Sequence, residues 1–299
     1  MSLNEFCKEN SIKVLTDEPM KKRTTFKVGG PARYFVTAEN EEQLRSVFLF
    51  CQKEGIRTFI IGAGSNLLFC DDGFDGVVIS LKGEFSDASV KGETVTAGAG
   101  VMLSRLCNIA KENSLSGLEF AFGIPGTVGG AVFMNAGAYG GEIKDVLRSV
   151  KTMDKNGHIK TYQCEEAGLS YRNSVFQQNG EIILSAEFLL IKGNKDKIEG
   201  RMNELFRRRK EKQPLEYGSA GSTFKRPEGY FAAALIEECG LKGKNVGDAE
   251  VSRKHSGFII NKGNATASEV LELIDIVKET VYKEKNVELQ CEVKIVGGE

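Results

Sequence analysis

"FGIPGTVGGAVFMNAGAYGG" (residues 122–141) sets glycine at 123, 126, 129, 130, 137, 140 and 141 among Ile124, Val128, Val132, Phe133 and Met134. A flexible linker is polar and small throughout. Here the apolar positions demand burial. Glycine between core residues points to backbone packed closely against a ligand or against another backbone.

A second glycine loop, "IIGAGSNLLFCDDGF" (60–74), lies about sixty residues upstream and leaves a β-branched run. It invites comparison with the G-x-G-x-x-G turn of dinucleotide-binding βαβ units. After Gly62 and Gly64 the third glycine position holds Leu67, and "FCDDGF" reads as a turn where that motif needs a helix. What remains is a strand ending in small residues, with Ser65 and Asn66 placed to line an anion nest or to make an ordinary tight turn. Two such loops could grip the two phosphates of one dinucleotide.

Around the loops the pattern alternates. "RYFVTA" (33–38), "RTFIIGAG" (57–64), "GVVISL" (76–81) and "ETVTAGAGV" (93–101) read as strands, and 40–55 and 102–114 as helices. Antiparallel strands are expected near 147–154, 158–163 and 181–191, with "DKNGH" turning between the first two. From Asp196 to Lys212 the chain is helical and basic, and the cluster Arg207–Lys210 reads as a solvated helix face that leaves room for an anionic ligand. Helices at 230–240 and 267–285 and strands at 256–261 and 287–296 complete an α+β C-terminal third. The expected segments are 1–82, 83–194 and 195–299.

At 299 residues the chain exceeds one ordinary domain. With 40 basic and 41 acidic residues, nothing in the charge asks for nucleic acid or a membrane surface. No apolar run suits a membrane span. The seven cysteines are scattered without a C-x-x-C pair and read as free thiols of a reducing, cytoplasmic setting. Only two histidines are present, so no metal site is expected and acid–base chemistry must come from other side chains.

Seven motifs occur in one order: "TTFKVGGPARYF" (24–35), "GAGSNLL" (62–68), "GIPGTVGGAVFMNAGAYG" (123–140), "LSYRNSVF" (169–176), "GSAGSTFKRP" (218–227), "VSRKHSGFIIN" (251–261) and "CEVKIVG" (291–297). Together they resemble the UDP-N-acetylenolpyruvoylglucosamine reductases, in that family's compact form, over residues 21–297. The resemblance implies a vanillyl-alcohol-oxidase-type FAD-binding fold of two subdomains followed by a C-terminal α+β substrate domain. It implies FAD as bound cofactor and NADPH as reductant. The implied substrate is a UDP-sugar carrying an enolpyruvyl ether, reduced during peptidoglycan precursor synthesis by a monomer.

Carried over residue by residue, the resemblance places FAD against Gly62, Ala63, Gly64, Ser65, Asn66 and Leu67, and against Gly123, Ile124, Pro125, Gly126, Thr127, Gly130 and Ala131. It makes Arg172, Ser222 and Glu292 the catalytic trio. A guanidinium meets a carboxylate through two parallel bonds and suits the charge that builds beside it. A well-placed hydroxyl suffices to protonate a strongly basic carbon. Asn135 and Tyr171 are expected to line the substrate pocket, and Lys225 and Arg226 to meet the diphosphate. Two positions depart from the usual family pattern. Gln290 stands where many members have a glutamate, and Arg226 where many have asparagine. His255 lies in a matched motif and reads as a packed structural histidine. An oxidase on the same fold, or a nucleotide-binding protein without chemistry, would share the glycine loops but would not require the trio.

Overall fold

The computed structural model describes residues 1–298. Local signals set most element ends. Helix Glu41–Lys53 starts where the Asn40 side chain accepts the Gln43 N–H, and Gly55 beyond it adopts φ +65°. Leu44, Val47 and Cys51 form its buried stripe. Helix Ala267–Lys285 has a full capping box between Thr266 and Glu269 and stops at left-handed Asn286. Its buried Val270, Leu273, Ile274, Val277 and Val281 recur at helical spacing. Each contributes about 1.5–3 kcal/mol by leaving water.

A four-stranded sheet orders Lys13–Pro19, Pro31–Ala38, Phe74–Leu81 and Thr58–Ile61, the last two parallel. A five-stranded antiparallel sheet orders Ile159–Gln163, Leu147–Met153, Ile182–Leu189, Thr94–Gly98 and Ala88–Lys91. The turn at 154–158 closes as expected, with the Asp154 carboxylate accepting the Asn156 and His158 N–H groups.

The chain forms two compact units. The first comprises Met1–Leu15, Tyr34–Ala63 and Gly76–Arg209; the second comprises Thr16–Arg33, Gly64–Asp75 and the chain from Lys210. The units cut across the segments 1–82, 83–194 and 195–299. Each unit has its own core. In the first, Val95, Leu106, Leu118, Ile143, Val150 and Phe188 are buried between sheet and helices. In the second, Phe26, Leu68, Phe224, Ile236, Val277 and Leu289 pack with the helix Ala267–Lys285 and the small sheet Asn245–Val246, Ala249–Val251, Ile259–Asn261.

One expectation needs correction. Residues 287–296 are not a single strand; only Lys294–Val296 is regular. The segment changes partner along its length. Around Cys291 it bridges antiparallel to Phe224, and from Lys294 it runs parallel to Leu67–Phe69. No one ladder continues long enough to make a ten-residue strand.

Candidate active site

In the first unit Gly62, at the start of the upstream glycine loop, meets the second loop at Thr127. A Cβ on Gly62 would stand 2.5 Å from the Thr127 hydroxyl oxygen, so only glycine permits this approach. Thr127 is buried and its hydroxyl accepts the Gly130 N–H, opening the short helix Val128–Phe133. The loop is pinned from behind, where Val128 N–H reaches the Val101 carbonyl and Leu103 N–H the Gly126 carbonyl. Ala131 points into the core. Gly62, Pro125 and Gly130 are exposed, and Ala63, Gly123, Ile124 and Gly126 half-buried. A Cβ on Gly130 would find its nearest atom only at 3.7 Å, so one side of the loop is open where the other is packed. Backbone bare on one face and braced on the other suits an elongated dinucleotide such as FAD.

The same loop supports Arg172. Beyond the helix, the Phe133 carbonyl accepts bonds from the Ser174 hydroxyl (2.7 Å) and the Gln177 amide (2.9 Å). Gln177 also donates to the Arg172 carbonyl at 3.0 Å. Ser170 and Asn173 exchange two backbone bonds, leaving Tyr171 and Arg172 at the tip of a tight turn. Arg172 adopts φ +54°, a left-handed conformation costly for a side-chain-bearing residue and held by these contacts. Its guanidinium lies over the half-exposed Tyr171 ring, 5.2 Å from the centroid.

Asn135 is 1% exposed. Its amide donates to the Ser170 carbonyl (3.0 Å) and to the Glu142 carboxylate (2.6 Å), and its oxygen accepts the Lys144 N–H. These bonds brace the Ser170–Arg172 turn from beneath. Ser174 and Gln177 do the same; only Ser174 lay in a recognisable motif.

In the second unit the loop 218–227 is tied at both ends. Ser219 donates its N–H to the Thr25 carbonyl, and its own carbonyl accepts the Thr25 hydroxyl at 2.7 Å. The buried Thr223 donates its N–H to Gly257 O and accepts the Ile259 N–H on its hydroxyl. Between them Gly221, at φ +77°, turns the chain and leaves Ser222 half-buried. The Thr223 carbonyl accepts the Glu292 N–H (2.8 Å), and the Gln290 carbonyl accepts the Lys225 N–H (2.8 Å). Ser222 and Glu292 therefore sit one residue out of register across the same ladder.

Asn66 holds that ladder in place. Its amide donates to the Glu292 carbonyl at 3.0 Å, and its own carbonyl accepts the Lys294 N–H. The residue expected in an anion nest uses its side chain to fix the strand of Glu292. Lys294, unremarked in the sequence, is half-buried two residues beyond Glu292. Burial lowers its pKa, and the charge of Lys225 adds to the effect.

Gln290 and Arg226 are exposed, and the Arg226 guanidinium covers the Phe231 ring at 4.4 Å. His255 is packed edge-to-face on Phe258, and its Nδ1 accepts the Gly257 N–H. Burial lowers its pKa, as befits a structural imidazole.

Two family models match the chain, "FAD binding domain" over residues 32–163 and "UDP-N-acetylenolpyruvoylglucosamine reductase, C-terminal domain" over 213–296. The UDP-N-acetylenolpyruvoylglucosamine reductase of Clostridium novyi is 56% identical over 94% of this chain and 91% of that protein. The chain belongs to the UDP-N-acetylenolpyruvoylglucosamine reductase family. The reductase of Syntrophomonas wolfei is 50% identical, covering 99% of this chain and 98% of its own. The crystal structure of the Thermus caldophilus reductase superimposes with a TM-score of 0.82 at 40% identity, over 96% of this chain and 99% of that one. As a family member with an FAD-binding domain, the protein is an oxidoreductase that takes FAD as cofactor and NADPH as reductant.

Proposed function

We propose that Arg172, Ser222 and Glu292 carry the family's reaction in this chain. That reaction is the NADPH-dependent reduction of UDP-N-acetylglucosamine enolpyruvate to UDP-N-acetylmuramate, in peptidoglycan precursor synthesis. The observation that carries the assignment is the ladder of the second unit, in which Glu292 N–H is bonded to the carbonyl of the residue after Ser222. A hydroxyl and a carboxylate are thereby held on adjoining backbone, with Asn66 fixing the register.

When bound, FAD would supply hydride chemistry toward the terminal methylene of the enolpyruvyl group, with NADPH as the source of the electrons. Arg172 binds the substrate carboxylate through two parallel bonds and stabilises the negative charge that grows on the adjacent carbon. Its strained backbone, braced by Gln177, keeps that guanidinium presented. Ser222 gives its proton to the same carbon, and Glu292 orients the donor or shares the transfer. Tyr171, half-exposed beside Arg172, and Asn135, which also braces that turn, line the substrate pocket. Lys225 and Arg226 meet the diphosphate. Gly62–Leu67 and Gly123–Ala131 hold FAD, and residues 1–82, 83–194 and 195–299 serve as its two subdomains and the substrate domain. Seven free cysteines fit a reducing cytoplasm, where we place the protein as a monomer.

The test is an anaerobic titration of the holoenzyme. NADPH should bleach the oxidised flavin spectrum, and the enolpyruvyl substrate should restore it. In Ser222→Ala the first step keeps its rate and the second slows. Equal slowing of both steps would make Ser222 structural.

A further inference from the structure

Helix Lys195–Lys212 buries Ile198, Met202 and Leu205 and leaves Arg207, Arg208 and Lys210 exposed. Arg209 departs from that basic face. Its Nε is buried without a hydrogen-bond partner. Desolvation lowers its pKa, and the one ionisable neighbour that acts on it is Tyr139, which is not a carboxylate. A buried cation is costly unless an anion pairs with it.

The position of this cation is informative. The Arg209 stem lies on Gly123, the first glycine of the loop 123–131. A Cβ at Gly123 would stand 3.1 Å from Arg209 Cδ and 3.4 Å from Phe206 Cδ2. One turn back, the Phe206 ring meets Phe122 edge-to-face at 5.9 Å and fixes the helix against the loop. Glycine at 123 therefore serves the arginine, which is brought over the loop by packing and given no hydrogen-bond partner at Nε among the described residues.

We propose that Arg209 is a cofactor-binding residue whose guanidinium pairs with an anionic oxygen of FAD held on the Gly123–Ala131 loop. The inference rests on the placement of FAD at that loop. The anionic oxygen has two possible sources. The diphosphate is charged in both oxidation states, whereas the N1–C2=O edge of the flavin becomes anionic only on reduction.

The experiment titrates FAD into the flavin-stripped full chain, read by flavin fluorescence, and measures the midpoint potential of the holoenzyme. If the diphosphate is the partner, Arg209→Met raises the Kd for oxidised FAD tenfold or more, with Arg209→Lys between the two. The stripped variant melts no lower than wild type, because a partly buried guanidinium whose Nε lacks a partner has been replaced by an apolar chain of similar length. An unchanged potential assigns the diphosphate. A fall of about 30 mV for each tenfold loss of affinity specific to the reduced form assigns the ring edge. A Kd and a potential both within twofold-equivalent change of wild type overturn the proposal, as does a stripped variant that melts several degrees lower while binding FAD normally. Gly130→Val is the control, since a Cβ there stands 3.7 Å from its nearest neighbour and lies on the open side of the loop. If it too leaves FAD binding unchanged, the placement of the cofactor fails and the proposal with it. If it abolishes binding while Arg209→Met changes neither the Kd nor the potential, Arg209 alone is wrongly assigned.

Discussion

Glu181 shows how one residue couples charge to stability away from the candidate site. It is 8% exposed and accepts bonds from the Thr152 hydroxyl (2.7 Å), the Lys160 ammonium (3.1 Å) and the Tyr162 hydroxyl (2.9 Å). Burial by itself would raise its pKa; the three donors outweigh that and hold it below 4.5. A depressed carboxylate contributes stability that is complete above the unfolded pKa and is lost as pH falls through the folded one. Thermal melts from pH 6 to pH 3 should therefore show wild type losing more stability than Glu181→Gln below about pH 4.5. Parallel pH profiles for the two proteins would refute the coupling. At Arg172, replacement by lysine keeps the charge and loses the fork. A fall in kcat of about a hundredfold is expected, of the size seen when one preorganised donor is removed. Stopped-flow measurement of flavin reoxidation by substrate reads it directly. An effect confined to the NADPH half-reaction would remove Arg172 from the proposed role.

At the scale of elements, the loop after Leu67–Phe69 illustrates how a helix end is used twice. The Asp71 carboxylate accepts the N–H groups of Ala267 and Ser268 at 2.7 and 2.8 Å and the Ser268 hydroxyl at 2.7 Å. These are orphan donors at the start of the longest helix, and the carboxylate also complements its dipole. Asp71→Ala should cost about 1–2 kcal/mol in urea unfolding, the range for a lost cap. Asp71→Asn should retain part of it. Helix Ala267–Lys285 itself was legible in the sequence to the residue, because its capping box and apolar spacing are both local. The expected strand 287–296 was not, since strand pairing depends on partners far away in the chain. Its alternation survives in buried Leu289 and Val293 against exposed Glu288 and Gln290, but its ladder is shared between two neighbours.

For the whole molecule, two separate cores imply that damage to one is felt there first. Leu273 is fully buried in the second core. Leu273→Ala should cost about 2–5 kcal/mol locally. Hydrogen exchange should quicken through Ala232–Glu238 and Ala267–Lys285, while the amides of Thr94–Gly98, Leu147–Met153 and Ile182–Leu189 keep their protection. Uniform loss across both sets would mean that the units unfold as one. Sequence by itself determined the α+β class, most element positions, the two glycine loops and the family motifs, because periodicity, caps and glycine spacing act within a few residues. Tertiary structure alone decided which polar side chains face inward and what they hold. Asn135 and Asn66 sit in motifs that suggested ligand contact, yet their amides fasten the turn of Arg172 and the strand of Glu292. Arg209 is one of three consecutive arginines, and only the packing of its helix on Gly123 separates it from its neighbours. A side chain's chemistry is written in its residue type, but its dielectric surroundings and partners come from segments remote in the chain, which no local pattern encodes.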